Sequence, residues 1–365
     1  MTSVVVGTRK GVFVLRRRGS AWRIEQAALL GDPVTMALGT RDGALLVAQD
    51  MGHFGVKMKR SRDGGATWEE RPVPKYPPKP EGAEEVDPVR RQPVPWDNKR
   101  VWALEASPRS GDLWCGTIPG ALFLSQDHGE SWTLNRALWE LPQRKDWMGG
   151  GFDDAGVASI CVDPRRSDHM TIGVSTGGVW ISDDGGASWR GSADGMYADY
   201  FPPERRHDPE VQDVHRLVQC PAAPDTLWVQ HHNGVFRSTD AAHSWQEITT
   251  IRPAKFGFAV AVHPHDPDTA WFVPGVKDEC RVPVDARLVV ARTRDGARSF
   301  DMLTEGLPQS HAYDLVYRHA LAVDDTGTRL AMGSTTGHLW VSENGGDAWT
   351  LVAGHLPPIS CVRFG

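Results

Sequence analysis

The 365-residue chain is poor in cysteine, with five, and none stands in a Cys-x-x-Cys pair. An odd count without paired spacing argues against a disulfide framework or a compact zinc site, and it predicts reduced thiols in a cytoplasmic protein. No apolar run reaches the roughly 20 residues of a membrane-spanning helix. The opening residues MTSVVVGTRKG read as folded sequence rather than a secretory signal, which agrees with that expectation. Long basic stretches are missing too, and the net charge is −6, so neither nucleic acid nor a membrane is an expected partner.

What the chain has in abundance is turns and tryptophan: 38 Gly, 26 Pro and 15 Trp. Many of them belong to one eight-residue pattern. SRDGGATW at Ser61–Trp68 returns as SQDHGESW from Ser125, SDDGGASW from Ser182, STDAAHSW from Ser238, TRDGARSF from Thr293 and SENGGDAW from Ser342. The copies start 49 to 64 residues apart. A period in this range is that of a propeller blade, and it outranks local signals.

Each copy has a mechanical reading. The third residue (Asp63, Asp127, Asp184, Asp240, Asp295 or Asn344) can accept hydrogen bonds from amides of its own turn. Gly at the fifth (Gly65, Gly129, Gly186, Gly346) permits positive φ. The closing aromatic then anchors the turn between neighbouring sheets. Repeated turn chemistry of this kind is architecture rather than catalysis.

Around each copy runs the same order of short apolar segments, as in VASICVD, TIGVS and GVWIS before Trp189 and a fourth segment after it. A worn copy, LRRRGSAW at Leu15–Trp22 with Arg17 in place of the Asp, brings the count to seven. The N-terminal SVVVGT matches second-strand segments, so the first blade lacks its first strand, and ISCVRF at Ile359–Phe364 is expected to supply it. The fold class is all-β: one seven-bladed β-propeller domain over 1–365, its ring closed by pairing of the two termini, which protects otherwise open edges. Cys161, Cys220 and Cys361 are placed in first strands, Cys115 in a second strand and Cys280 in a loop.

A four-stranded blade alternates its loops between two faces. The repeated boxes join third to fourth strands on one face, whereas the second-to-third turns and the links between blades occupy the other. The long insertions fall mostly in those links: 71–99, 135–154 with WMGGGFDD, 192–214 with MYADYFPPERRHDPE, and 304–318 with GLPQSHAYD. Long loops sharing one face favour function there. On that face the sequence places Asp97, Arg100, Asp153, Asp154, Asp213, His215, Arg216, Arg318 and His319 before or at first strands. Asp50, His53, His231, His232, Asn233, Lys277, Asp278, Glu279, Arg281 and Asp285 come from second-to-third turns.

Three uses fit these residue types. Arg100, Arg216 and Arg318, from separate blades, could converge as planar forks on a carboxylate or phosphate, unless each pairs with a neighbouring acid in a structural network. His53, His215, His232 and His319 could ligate a divalent metal with Asp213 or Glu279, although no compact ligand motif such as HExxH occurs. His231 and His232, adjacent in an extended segment, should point opposite ways, so one ring is expected at the mouth. Asp97, Asp153, Asp154, Asp213 and Glu279 could act as paired carboxylates in acid and base catalysis, at separations the sequence does not supply.

The six boxes resemble the Asp-box, or BNR, repeat of a propeller superfamily that includes sialidases, other glycoside hydrolases, sortilin-type receptors and photosystem assembly factors. GHFGVK, GTIPGALF, QHHNGVFRS, FGFAVAVHP and RHALAVD look more closely like bacterial proteins labelled sialidase-like or BNR-repeat glycosyl hydrolases. The resemblance covers nearly the whole chain, but a shared propeller does not fix a shared function. A sialidase needs an arginine triad, an Arg-Ile-Pro-type motif near the first blade, and a Tyr nucleophile with its Glu. Here Arg281–Pro283 reads Arg-Val-Pro in the sixth blade, and the five tyrosines, Tyr76, Tyr197, Tyr200, Tyr313 and Tyr317, have no evident Glu partner in the sequence order.

Two classes of function follow. As an enzyme akin to glycoside hydrolases, the chain would enclose a sugar or other small polar or anionic substrate. Asp97, Asp153, Asp213, His215, Glu279 and His319 would be its candidate catalytic groups, and His53, Arg100, Arg216, His232, Arg281, Tyr313 and Arg318 its binding groups. As a scaffold, it would dock a protein or glycan on a broad surface exposing aromatics such as Trp96, Trp147, Tyr197 and Phe201.

Overall fold

The computed structural model describes residues 3–19, 21–82 and 84–365; Met1, Thr2, Ser20 and Ala83, of which the first two open the first blade's expected sequence and the third falls in the worn box, lie outside the described residues. Seven four-stranded antiparallel sheets make a β-propeller. Blade 4 shows the pattern: Gly156–Val162 pairs with Met170–Ser175, that with Gly178–Ser182, and that with Arg190–Ser192. The three inner strands are almost wholly buried, because each is covered on both faces by neighbouring blades, and they therefore read as continuous apolar runs rather than alternating ones.

The expected closure is present. Ile359–Phe364 takes the innermost position of blade 1 beside Ser3–Thr8, with Val4 opposite Phe364 and Gly7 opposite Cys361. A Cβ on Gly7 would lie 2.6 Å from the Cys361 Sγ, so this crossing of the two termini requires a residue without a side chain. All five cysteines are free thiols, and only Cys280 is exposed. Cys220 lies one residue beyond its strand, Val214–Gln219, rather than within it.

The boxes form one hydrogen-bond pattern. In the first, Asp63 Oδ1 accepts from the Ser61 hydroxyl and the amides of Ala66 and Thr67, Oδ2 accepts from the Thr67 hydroxyl, and the Gly65 amide donates to Ser61 Oγ. Asn344 reproduces the Oδ1 part of this arrangement in the last box. Fourth and fifth positions are left-handed in every copy, and where glycine is missing the strain falls on His128, Ala241, Ala242 and Ala297. Trp189, Trp245 and Trp349 are buried, whereas Trp68, Trp132 and Phe300 are partly covered.

The worn copy in blade 1 is a different turn. Gly11–Arg18 and Ala21–Ala28 pair directly, Arg18 opposite Ala21, leaving no room for the box loop. Arg17 and Trp22 instead reach Glu343 in the last box, so the seventh third-to-fourth turn closes the seam between blades 7 and 1.

Box turns and first-to-second-strand turns bond to one another: the Gly185 amide donates to Asp168, Ala241 to Asp225, Gly296 to Asp268 and Gly345 to Thr328. They share one face. The long links gather on the other, tied by Lys99 to Asp154 and Arg90 to Asp153. Two of the three glycines of WMGGGFDD are required by close approach, since a Cβ on Gly149 would meet the Asp153 carbonyl oxygen at 2.1 Å and one on Gly150 the Thr176 Oγ1 at 2.3 Å.

Candidate functional site

A polar cluster on the link face lies between blades 4, 5 and 6. Asp213 precedes the inner strand Val214–Gln219 of blade 5 and His215 stands two residues on, so an extended backbone sends both side chains the same way. His232 sits in the turn between Leu227–His231 and Gly234–Ser238, and its amide donates to the Asp213 carbonyl at 3.0 Å.

Asp213 is buried. Its Oδ1 accepts from the Ser175 hydroxyl at 3.0 Å and the Thr176 amide at 3.1 Å. Its Oδ2 faces His215 Nε2 at 3.3 Å and His232 Nδ1 at 3.5 Å. Burial alone would raise this carboxyl, but the charge of His215, hydrogen bonds from His215 and His232, and the nearby Arg318 hold it well below the usual carboxylate range. His215 is also buried, its Nδ1 bonded to the Gly257 carbonyl at 2.6 Å and its ring stacked on Phe258 at 4.5 Å. Burial pushes its imidazole down, with Asp213 opposing. His232 is partly exposed beside Tyr200, and its bond to Asp213 raises its pKa.

The adjacent ring behaves as strand alternation demands. His231 turns into the blade, accepts from the Asn233 amide at 3.0 Å and lies edge-on to Phe236, and burial pushes it down to about 3.

Arg318 completes the cluster. Its guanidinium sits between the rings of Trp102, at 4.7 Å, and Phe258, at 5.3 Å, and donates to Ser175 Oγ at 3.2 Å. Ser175 thus joins Arg318 to Asp213. Arg318 is 5% exposed, its Nε has no partner, and among the described residues no carboxylate lies within ion-pair distance. Burial pushes its pKa down to about 10.

The three arginines of the sequence analysis do not converge. Arg100 pairs with Asp50 at 2.7 Å and lies over Phe152. Arg216 turns toward blade 4, donating weakly to Ala158 and Ser159, with Glu105 at 3.8 Å. It follows His215 on one strand, and adjacent residues of an inner strand face opposite neighbouring blades, so the two cannot share a site. Arg216 instead lines a cavity of about 930 Å³ with Glu105, Cys161, Asp324 and Arg363, at the box end of the channel. His319 is buried with both ring nitrogens unpartnered, and burial and the charges of Arg216, Arg363 and Arg318 hold its pKa well down.

The remaining candidates stand apart from the cluster. Asp97 is exposed, Asp153 is exposed against Arg90, and Asp154 is buried against Lys99. Glu279 is exposed beside Lys277, Asp285 is exposed, and Arg281 is held by Asp278 while lying over Phe258. His53 is exposed with its ring tilted 40° against Phe54, and Tyr313 is 57% exposed. The aromatics open to solvent on this face are Phe54, Phe152, Tyr200 and Tyr313, whereas Trp147 is buried and Trp96, Tyr197 and Phe201 are partly covered.

Sequence reasoning missed Ser175, Thr176, Gly257, Trp102 and Phe258, which fix the orientation of the polar groups. Only Gly257 and Phe258 carried a signal, as part of FGFAVAVHP.

No family model matches the chain, and no curated protein sequence does. Among solved structures it is similar to the GH74 xyloglucanase from Xanthomonas campestris, at TM-score 0.62 and 16% identity over 96% of this chain and 52% of that one. It is also similar to Ycf48 from Cyanidioschyzon merolae, at TM-score 0.55 and 14% identity over 93% of this chain and 90% of that one. Ycf48 bound to a D1 peptide superimposes at TM-score 0.52 and 11% identity, covering 87% and 80% of the two chains. The chain spans about half the length of the xyloglucanase. What these likenesses share is the propeller. They include a glycoside hydrolase and a peptide-binding protein alike, so the fold leaves the activity open.

Proposed function

We propose that the link face binds a small anionic molecule, with Arg318 as its receptor. The observation that carries this reading is a buried guanidinium that lies near the rings of Trp102 and Phe258 and has, among the described residues, no carboxylate within ion-pair distance. Burying a charge unpaired is costly, and aromatic stacking offsets only part of that cost. A carboxylate or phosphate arriving at the fork supplies the missing partner in a site already organised for it.

The glycoside-hydrolase form of this reading requires two carboxylates across the scissile bond. Among the described residues Asp213 is the only carboxylate bonded within the cluster, and its Oδ2 faces imidazoles. This favours ligand recognition over paired-carboxylate hydrolysis. A second reading, docking of a peptide or glycan, is favoured by the exposed Phe54, Phe152, Tyr200 and Tyr313 on the same face.

Thermal-shift and calorimetric titration with inorganic phosphate, succinate and glucuronate tests the proposal. At least one should bind to the wild type and lose tenfold or more in affinity in Arg318→Met. Equal binding by the variant, or no binding of any oxyanion by the wild type, rejects it and leaves the docking reading.

A further inference from the structure

We propose that Asp213, His215 and His232 form a mononuclear site for a divalent transition metal, open on the side of Arg318. Apart from their contacts with one another, the three donor atoms have no partner among the described residues. Asp213 Oδ1 is taken by Ser175 and Thr176, leaving Oδ2. The Nδ1 of His215 is taken by the Gly257 carbonyl, which as an acceptor requires the proton there and leaves the Nε2 lone pair. His232 presents Nδ1.

These atoms lie within 4.8 Å of one another. The Nε2 of His215 is 3.3 Å from Asp213 Oδ2, and the Nδ1 of His232 is 3.5 Å from the same oxygen. A tetrahedral ion with bonds of about 2.0 to 2.1 Å places its ligands roughly 3.3 to 3.4 Å apart, which matches the two edges to Asp213 Oδ2. A neutral imidazole lone pair aimed at a carboxylate oxygen at that distance is repulsive by itself. It needs a positive centre between the two atoms, either a second ring proton or a metal ion.

The surroundings have the organisation that metal ligands need. The carbonyl bonded to His215 Nδ1 fixes its tautomer, and the two donors to Asp213 Oδ1 fix the carboxylate. Phe258, Phe256 and Tyr200 wall the imidazoles, and the bond from the His232 amide to the Asp213 carbonyl sets the spacing of the two ligand-bearing segments. Two imidazoles and one carboxylate suit zinc, iron, manganese or cobalt better than calcium or magnesium. Three protein ligands leave a position for solvent or an exogenous ligand, as in catalytic rather than structural sites. Ser175 bonds both Asp213 and Arg318, so an oxyanion bound to the metal at that position lies next to the guanidinium. That last step rests on the anion-binding reading, whereas the metal site does not.

The test uses the untagged full-length protein, stripped with a chelator and titrated with Zn²⁺ and with Co²⁺. One equivalent should bind, raise the melting temperature and, with Co²⁺, give the intense visible bands of low-coordinate cobalt. Affinity should fall at least 100-fold in His232→Gln and in Asp213→Asn, and stay unchanged in His355→Gln, which alters an exposed histidine. His232 is partly exposed, so its variant should fold as the parent does by circular dichroism. Absence of stoichiometric binding by the wild type, or equal affinity in His232→Gln, overturns the proposal. In Arg318→Met the metal should still bind; loss of oxyanion binding alone in that variant separates failure of the metal site from failure of the anion reading.

Discussion

The amide of His232 donates to the carbonyl of Asp213 at 3.0 Å, so the turn that carries one imidazole is pinned to the residue that carries the carboxylate. The cluster is therefore set by backbone pairing within blade 5 rather than by its own side chains. Blade 4 contributes through Ser175 and Thr176, and blade 6 through Gly257 and Phe258.

Truncating Asp213 to Ala should separate its structural weight from that of His232. It leaves His215, the Thr176 amide and Arg318 without their anionic neighbour, and removing one member of a buried charge network costs about 3 to 5 kcal/mol. His232→Gln, at a partly exposed position, should cost less than about 1 kcal/mol. Denaturant unfolding of both variants measures the difference.

Trp189→Ala should destabilise by about 3 to 5 kcal/mol, the range for truncating a buried aromatic. Its ring is buried and its indole N–H donates to Asn135 across the blade boundary. Ligand or metal binding at the link face, measured below the lowered melting point, should be retained, because the box turns lie on the other face.

Acid should unfold the propeller over a defined window. The box carboxylates of Asp63, Asp127 and Asp295 are lowered to about 2, chiefly by hydrogen bonds from Thr67, Ser131 and Ser299. Their folded-state values lie below the ordinary carboxylate value, so their contribution is full above about pH 4 and is lost as pH falls through about 2. Far-ultraviolet circular dichroism against pH should show the transition there, displaced upward in Ser131→Ala, which removes the strongest of the bonds to Asp127.

Ala241→Gly should stabilise the chain by up to about 1 kcal/mol, since a left-handed alanine costs roughly 1 to 2 kcal/mol and glycine returns part of that gain as unfolded-state entropy. Ala241 has φ 57° in the box that carries alanine at both left-handed positions. A melting temperature unchanged or lowered counts against this account of the turn.

Deleting Ile359–Gly365 should abolish cooperative melting. The deletion removes the innermost strand of blade 1 and exposes the edge of Ser3–Thr8. Supplying a synthetic peptide of the deleted segment should restore part of the transition.

The repeated turns were legible because their chemistry is local. Asp63, its serine and threonine partners and Trp68 lie within eight residues, so the hydrogen bonds that define the box are written contiguously. The worn copy at Leu15–Trp22 marked the seventh third-to-fourth turn, but not its geometry: spacing kept the Trp, whereas pairing of Arg18 with Ala21 leaves no room for the box loop. At the site, alternation along an extended segment separated His231 from His232. The same alternation applied to His215 and Arg216 sends one toward blade 6 and the other toward blade 4.

The sequence by itself determined the repeat, the closure by Ile359–Phe364 and the face that carries the long links, because each depends on local turn chemistry or on the order of strands. Only the tertiary structure decided that Asp213, His215 and His232 meet, that Arg100 is neutralised by Asp50, and that Arg318, beside Trp102 and Phe258, has no ion-pair partner among the described residues. The three cluster residues belong to one blade but meet only through the pairing of its first two strands, whereas Arg100 with Asp50, and Arg318 with Trp102 and Phe258, come from separate blades, and those distances are set by how the sheets pack around the channel.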